Sequence, residues 1–305
     1  MRLLVTGASG LLGLNLSLAA SMAGHQVTGL VHSRPLVDVP FFTRQVNLLE
    51  GTSALDCIES AKPDAIIHCA AVANLNAAEK SPELAQILNA EVPGVLAEAA
   101  SRRSLPFIHI STDAVFDGRS TGYKESDPTH PLSVYARTKL AGEQAVQAAH
   151  QGALIARVVF YGWSLSGKRS LSEFFYNNLQ DGQNIKGFND TYFCPLYVED
   201  LAEALLEMLA EKLTGIYHVV SPEHLSKYEF GVRIARRFGL DPDLIEPVSS
   251  ADVERGVTRS LGLILNTEKV QNALGRSLPS VDEGIDRLYG RWQEGYHTQL
   301  QSFAG

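Results

Sequence analysis

The sequence predicts an α/β fold, in which a doubly wound parallel sheet carries helices on both faces and a smaller lobe follows. Two observations predict it. Over the first 160 residues, short apolar segments alternate with amphipathic helical patterns. Three regularly spaced glycines, Gly7, Gly10 and Gly13, separate the first apolar segment from the first helix. A repeated strand–helix–strand order builds a parallel sheet, because each helix crosses one face of the sheet before the next strand begins.

The same alternation assigns the elements in chain order. Strands are predicted over residues 2–7, 25–33, 64–71, 106–112, 153–162 and 215–220. Helices are predicted over residues 11–24, 82–103, 134–150, 170–183, 197–212, 226–240 and about 280–295. Pro93 should interrupt the second of these helices, since proline lacks the N–H that a helix interior needs. Ser226 and Glu229 have the spacing of a capping box.

The composition limits the classes of partner. The chain has 305 residues, 45% of them hydrophobic and 20% charged, and a net charge of −8. These values are ordinary for a globular protein with a buried core. An acidic chain disfavours nucleic acid and anionic membranes as partners, and no run of about 18 apolar residues predicts a membrane span. We therefore expect a cytoplasmic protein that binds a small molecule and could form a homodimer.

The cysteines and histidines predict neither a disulfide framework nor a metal site. Cys57, Cys69 and Cys194 are far apart, odd in number and without a CxxC spacing. The nine histidines also lack the spacing of metal ligands.

The glycine-rich turn "VTGASGLLG" predicts a dinucleotide site of the Rossmann type. One glycine makes the tight turn, one lets the backbone approach a pyrophosphate, and one lets the helix pack closely on the strand. The start of the helix then offers free N–H groups to the phosphates. Ser9, Leu11 and Leu12 complete the turn that we expect to contact the cofactor.

The end of the second strand indicates which dinucleotide is bound. An NAD site would need an Asp or Glu about 20 residues after the glycines, to hold the ribose hydroxyl. The chain instead has His32, Ser33 and Arg34 there, and no acidic residue before Asp38. A guanidinium can bind phosphate through two hydrogen bonds, so the sequence predicts NADP(H) as the preferred cofactor, with NAD(H) still accepted.

Polar residues at the end of the fourth strand and on the next helix predict the chemistry. Thr112 ends the strand, and Tyr135 and Lys139 lie four positions apart, on one helix face. A tyrosine has a pKa near 10, and a neighbouring lysine cation should lower that pKa and so suit the phenol to proton transfer. The Thr112 hydroxyl could polarise a carbonyl. Together with a nicotinamide, the set predicts reduction of a carbonyl, with Tyr135 as the proton donor.

Three motifs in this order, TGxxGxxG, "STDAVFDG" and "YARTK", resemble those of the extended short-chain dehydrogenases/reductases. The segments "YKESDPTHPLSVYARTKLAGE" and "GIYHVVSPEHLSKYEFGVRIARRFGL" are most similar to the dTDP-4-dehydrorhamnose reductase branch, and the resemblance covers essentially the whole chain. It implies an enzyme that reduces the keto group of a nucleotide-linked deoxysugar with NADPH or NADH. Ala114, Asn76 and "NDTYFCPL" (189–196) depart from the pattern of this branch and leave the sugar open.

The resemblance also implies site residues. Thr112, Tyr135 and Lys139 would be the catalytic set, and the last two would also contact the cofactor. Further cofactor contacts are expected from Asn47, Leu48, Cys69, Ala70 and Ala71. Substrate contacts are expected from Asp113, Phe116, Trp163 and Asn189.

Two alternatives stay open on the sequence. One is a nucleotide-sugar epimerase or dehydratase of the same fold, which would retain its NAD. The other is a non-catalytic NADP-binding subunit, similar to the regulatory partner of methionine adenosyltransferase. The basic residue Arg34 argues against the first, and the intact set of Thr112, Tyr135 and Lys139 argues against the second.

The predicted domain division follows the change in pattern after Gly162. Residues 1–162 and 194–220 are expected to form the dinucleotide-binding domain. Residues 163–193 and 221–305 are expected to form the substrate-binding lobe over the cleft.

Overall fold

The computed structural model describes residues 1–50, 53–253 and 260–305. Its strands are β1 (Arg2–Thr6), β2 (Gln26–Val31), β3 (Phe42–Gln45), β4 (Ala65–His68), β5 (Phe107–Thr112), β6 (Thr121–Tyr123), β7 (Leu154–Val158), β8 (Phe160–Tyr161), β9 (Ile185–Phe188), β10 (Tyr192–Phe193), β11 (Leu196–Tyr197), β12 (Gly215–His218), β13 (Leu225–Ser226), β14 (Ile245–Val248) and β15 (Gly262–Leu265). Its α-helices are α1 (Leu11–Met22), α2 (Ser53–Ala61), α3 (Leu75–Lys80), α4 (Pro82–Gln86), α5 (Val92–Ser101), α6 (Val134–Ala149), α7 (Leu171–Gln180), α8 (Val198–Ala210), α9 (Lys227–Phe238), α10 (Glu268–Leu274), α11 (Val281–Gln293) and α12 (Tyr296–Ser302).

The main sheet has seven parallel strands in the order β12-β7-β5-β4-β1-β2-β3. The chain runs outward from β1 to β3, then returns to the other side of β1 and continues through β4, β5 and β7 to β12. The predicted doubly wound parallel sheet is therefore confirmed. The order reverses beside β1, and the carboxyl ends of the strands at such a point are where open α/β sheets bind ligands.

Side chains alternate between two cores on opposite faces of this sheet. In β1, Leu3 and Val5 belong to the core under α1 and α8, whereas Leu4 points into the core under α2, α5 and α6. This period of two is the geometry of a strand that is buried on both faces. It explains why the strands appear in the sequence as unbroken apolar segments.

The helix predicted over residues 82–103 is interrupted just before Pro93, as expected, and the interruption is a π-helical turn. The chain forms α4, then a π-helical turn over Ile87–Glu91, then α5 with Pro93 in its first turn. Asn89 in the π turn uses its amide to bind three groups. Its Oδ1 accepts from the Val72 N–H at 2.8 Å, and its Nδ2 donates to the Val72 carbonyl at 3.3 Å and to the Thr138 hydroxyl at 3.0 Å. The turn thereby ties α6 to the loop after β4.

Helix α6 lies against the π turn at a glycine. A Cβ added at Gly142 would lie 2.1 Å from the Asn89 carbonyl oxygen, so no larger residue fits without movement of the helix. This close approach sets the depth at which the side chains of α6 enter the molecule.

A second layer is built from short strands and later helices. One four-stranded sheet has the order β13-β10-β15-β6, and β14 pairs with β9. Helix α9 begins with the predicted capping box of Ser226 and Glu229, which is confirmed. Strand β6 belongs to the first predicted domain and yet pairs with β15 of the second, so one sheet crosses the predicted boundary. The division into two domains stays a prediction.

Within residues 1–50, 53–253 and 260–305, the structure contains no helix that is long and apolar enough to cross a membrane.

We predict that Gly142→Ala lowers the free energy of unfolding by about 2 kcal/mol, because overpacking of this size in a core usually costs about 1–3 kcal/mol. The matched control is Gly290→Ala in α11, where an added Cβ meets nothing within 4 Å and alanine should raise stability slightly. Urea unfolding measures both. Equal effects of the two substitutions would show that Gly142 is not a close-packing position.

Candidate active site

A cavity of about 930 Å³ opens at the carboxyl ends of β1, β2, β4 and β5. Every residue predicted to contact the cofactor lines it, as do the three predicted catalytic residues and Asp113. These are Gly7, Ser9, Gly10, Leu11, Leu12, Gly13, His32, Ser33, Arg34, Asn47, Leu48, Cys69, Ala70, Ala71, Thr112, Asp113, Tyr135 and Lys139. The structure therefore brings together segments that are up to 130 residues apart in the chain, although their individual roles stay predictions.

The glycine turn has a shape that only glycine permits. Gly7 has a φ of +67°, and a Cβ there would lie 2.8 Å from the backbone of Ala70. A Cβ at Gly13 would lie 2.2 Å from the Gly7 carbonyl oxygen. Gly10 caps α1 without any side chain, so the first N–H groups of the helix face the cavity uncovered. Such a cradle fits the pyrophosphate of a dinucleotide.

The loop after β2 fits a phosphate on the adenosine ribose. His32, Ser33 and Arg34 are exposed and line the cavity. The lining residues in this region include no carboxylate that would compete for the Arg34 guanidinium. The site therefore offers a cation and a hydroxyl where an NAD-specific site would offer an acid.

Thr112 ends β5, and its side chain organises the turn that follows. The Thr112 hydroxyl accepts from the Ala114 N–H at 3.2 Å and donates to the Asp113 carboxylate at 3.0 Å. Asp113 is buried, and this burial raises the pKa of its carboxyl to about 6, while Thr112 and the cation of Lys227 act in the opposite direction. The Thr112 hydroxyl also acts on Tyr135, because it opposes the rise that burial causes in the pKa of the phenol.

The structure corrects the expected effect of Lys139 on Tyr135. Burial raises the pKa of the Tyr135 phenol to about 12, although part of the side chain still faces the cavity. The Asp113 charge adds to the rise, and the Thr112 hydrogen bond opposes it. The Lys139 ammonium instead binds the Ile110 carbonyl at 2.6 Å and His109 at 3.3 Å. Tyr135 is therefore protonated at neutral pH, as a proton donor must be.

Beneath the predicted catalytic residues lies a buried ion pair. Glu143, one helical turn beyond Lys139, receives three hydrogen bonds of 3.0, 3.3 and 2.8 Å from Arg157 and one of 2.5 Å from Ser111. The side chains of both charged residues are at most 3% exposed. The pair holds α6 against β5 and β7. Sequence analysis did not single it out, because the two charges are 14 positions apart on different elements.

The far wall of the cavity contains residues that the sequence did not indicate. Lys168, Arg169 and Lys227 add three positive charges, and Phe160 and Tyr192 add aromatic surface. The segment "GKRS" ahead of the Ser170 cap of α7 was the available signal, since basic residues precede a helix start there. These cations make the cavity basic in a chain whose net charge is −8.

Three of the predicted substrate contacts lie outside the cavity, and these assignments are corrected. Trp163 is buried among Tyr176 and Phe238, and its indole donates to the Leu288 carbonyl at 3.1 Å. Phe116 is fully buried and stacks on Tyr123 at 4.3 Å, and Asn189 is exposed at the surface. The large aromatic side chains of Trp163 and Phe116 therefore fill the core and do not contact a ligand in the cavity. Phe160, three residues before Trp163, lines the cavity instead.

The sequence matches the family described as RmlD substrate binding domain over residues 1–293. It is 34% identical to the Haloferax volcanii protein named "Probable low-salt glycan biosynthesis reductase Agl14", over 93% of this chain and 96% of that one. It is 34% identical to the dTDP-4-dehydrorhamnose reductase of Mycobacterium tuberculosis, over 85% and 83% of the two chains. It is also 33% identical to the methionine adenosyltransferase 2 subunit beta of Xenopus laevis, over 83% and 76%.

A solved structure shares the whole fold. The dTDP-4-dehydrorhamnose reductase of Bacillus anthracis, determined in complex with NADP, superposes with a TM-score of 0.85 at 25% identity, over 95% of this chain and 99% of that one.

We predict that Glu143→Gln lowers the free energy of unfolding by about 3 kcal/mol, because it leaves the buried Arg157 charge without its counter-ion. The control is Glu98→Gln, which removes the exposed ion pair with Arg102 and should cost less than about 0.5 kcal/mol. Urea unfolding at neutral pH compares them. A Glu143→Gln protein as stable as the control would contradict a structural role for the buried pair.

Proposed function

This chain belongs to the RmlD substrate binding domain family, and on that premise we propose that it is an NADPH-dependent reductase of a keto group on a nucleotide-activated deoxysugar. The first candidate substrate is dTDP-4-dehydrorhamnose, the substrate in the names of similar reductases from Mycobacterium tuberculosis and Bacillus anthracis. The observation that carries the proposal is one cavity that holds the glycine cradle, the Thr112–Tyr135–Lys139 set and a basic far wall. A cytoplasmic location and a homodimer belong to the proposal as predictions.

The residues divide the work of the reaction. The glycine turn would hold NADPH, which would supply the hydride for the carbonyl carbon of the substrate. With substrate bound, the single Thr112 O–H turns from the Asp113 carboxylate to the carbonyl oxygen. Tyr135 gives that oxygen its phenolic proton, so one O–H bond breaks as another forms. Lys139 lines the same cavity, where its ammonium binds the Ile110 carbonyl and His109.

The opposite wall suits the rest of the substrate. Lys168, Arg169 and Lys227 place cationic groups where the diphosphate of a sugar nucleotide would lie, and Tyr192 offers an aromatic face beside them. A guanidinium and ammonium groups are the side chains that bind phosphates most strongly. The wall therefore supports an anionic, nucleotide-linked substrate over a small neutral ketone.

A second function is favoured by one specific observation, the similarity to a subunit of methionine adenosyltransferase. A regulatory subunit would bind NADP and a synthetase without turning over a sugar. The geometry supports the reductase more strongly, since Tyr135 is protonated and faces the cavity beside Thr112. An epimerase or dehydratase would instead retain NAD, and the cluster at Arg34 does not favour that cofactor.

The direct test is a panel of 4-keto nucleotide sugars, scored by the oxidation of NADPH at 340 nm. We expect turnover of a dTDP-linked 4-keto-6-deoxysugar. In the matched variant Tyr135→Phe, we expect kcat to fall at least about 100-fold while NADPH binding persists, because general-acid catalysis contributes roughly 10²–10⁴-fold.

Tyr289→Phe, on α11 and outside the cavity, serves as the control and should keep full activity. If turnover survives in Tyr135→Phe, Tyr135 is not the general acid of the reaction. A wild-type protein that turns over no keto sugar but retains a synthetase in a pull-down would replace the reductase with the regulatory subunit.

Cofactor preference tests the loop after β2. We predict that Arg34→Ala raises KM for NADPH by about 10- to 100-fold, because a hydrogen bond to a charged group contributes about 1.5–3 kcal/mol. KM for NADH should change little, since NADH lacks the phosphate. The control is Arg102→Ala, at the end of α5 and outside the cavity. An equal change for both cofactors would contradict the assignment.

A further inference from the structure

We infer that His109 is a positioning residue for Lys139, in which the imidazole accepts one ammonium hydrogen bond, keeps the lysine charged and leaves one ammonium N–H for the cavity. His109 lies inside β5, where strand periodicity alone would class it as a core residue. Nothing in the mechanism above uses it.

The contacts of Lys139 carry the inference. An ammonium group has three N–H donors and no acceptor. The Lys139 Nζ lies 2.6 Å from the Ile110 carbonyl oxygen and 3.3 Å from His109 Nε2. The lysine side chain is only 2% exposed, yet it lines the cavity. Two donors are thus bound on the protein side, and the third is left for the phenol, the cofactor or the substrate.

The direction of the bond to His109 follows from the chemistry of the pair. A charged lysine can only donate, so His109 Nε2 accepts and the ring proton lies on Nδ1. Burial holds the pKa of His109 well below its usual range, so the ring is neutral and stays an acceptor throughout the working pH range. Its Nδ1 is buried without a hydrogen-bond partner among the described residues. A buried donor without a partner is costly, so the residue is poorly explained as core filling.

A second histidine fixes the plane of the ring. His68 in β4 stacks on His109 with ring centroids 5.5 Å apart and planes 15° apart. The His68 ring is itself held by a 2.8 Å hydrogen bond between its Nδ1 and the Thr6 hydroxyl. The same hydroxyl accepts from the Ala70 N–H at 3.2 Å, in the loop that closes on the glycine turn. The position of Lys139 is therefore set through neighbouring strands of the sheet.

The charge state of Lys139 depends on several facing groups. Burial lowers its pKa to about 8, while Glu143 on α6 and Cys69 after β4 act in the opposite direction. His68, His109 and Tyr135 are the other titratable groups around it, and all three are neutral at pH 7. The His109 acceptor stabilises the charged form. Removing it must lower the pKa of Lys139 further, toward neutral pH.

The test uses variants that separate the acceptor from the ring. His109→Phe keeps an aromatic ring for the stack on His68 but has no acceptor, and His109→Leu replaces it if the first variant does not fold. His109→Gln returns an acceptor oxygen near the Nε2 position. His68→Phe is the control, since it keeps a ring stacked on His109 and leaves the Nε2 acceptor of His109 in place.

The primary measurement is the pKa of Lys139 in the ligand-free protein, from the pH dependence of its ¹³Cε chemical shift, with the signal assigned by its absence in Lys139→Arg. We expect the pKa to fall by about one unit in His109→Phe, as expected for the loss of one hydrogen bond to a charged group. We expect His109→Gln to restore most of it and His68→Phe to leave it unchanged. An unchanged pKa in His109→Phe, or an equal fall in His68→Phe, would overturn the inference.

A kinetic arm depends on the proposed function, whereas the NMR arm does not. With a keto-sugar substrate in hand, the alkaline limb of the kcat profile should move to lower pH by the same amount in His109→Phe and return in His109→Gln. A shift of the Lys139 pKa without any turnover would support the inference and refute the reductase. Turnover with an unmoved alkaline limb and an unmoved Lys139 pKa would support the reductase and refute the role of His109.

Discussion

The close docking of α6 on the sheet is the constraint on which the rest of the site depends. At Gly142 the helix approaches the π turn so closely that a Cβ would lie 2.1 Å from the Asn89 carbonyl oxygen. One residue further, Glu143 binds Arg157 in a buried ion pair. These contacts set the depth of the helix, and a lysine on the same face is thereby buried where a shallower helix would leave it in solvent. The packing contacts of α6 therefore also determine the environment of the side chains that line the cavity.

Burial then determines the protonation states that the chemistry needs. Desolvation disfavours charge, so the pKa of the Tyr135 phenol rises and that of the Lys139 ammonium falls. The phenol therefore keeps its proton at neutral pH, as the proposed role of proton donor requires. Glu143 and Cys69 oppose the fall in the lysine pKa, and the ammonium also binds the Ile110 carbonyl and His109. A simple pairing of the two side chains would have predicted the opposite shift for tyrosine.

The charge of the cavity is opposite in sign to the net charge of the chain. The chain is acidic, yet the cavity has Arg34 near the cofactor end and Lys168, Arg169 and Lys227 at the other. Anionic ligands at both ends would meet positive charge in an enclosed, partly apolar space, where electrostatic attraction is less screened than at the surface. The net charge of −8 carried no information about this local field.

The sequence by itself determined the parallel sheet, the glycine turn and the order of the catalytic motifs, because each depends on residues close together in the chain. Strand and helix periods and the glycine at position 7, where φ is positive, are local properties of this kind. Only the tertiary structure decided that Trp163 packs in the core while Phe160 lines the cavity. Both aromatic residues come shortly after β7, so their positions in the sequence do not distinguish them. It also decided the tyrosine pKa and the partner of Lys139. Those properties come from desolvation and contacts between distant segments, which no local pattern encodes.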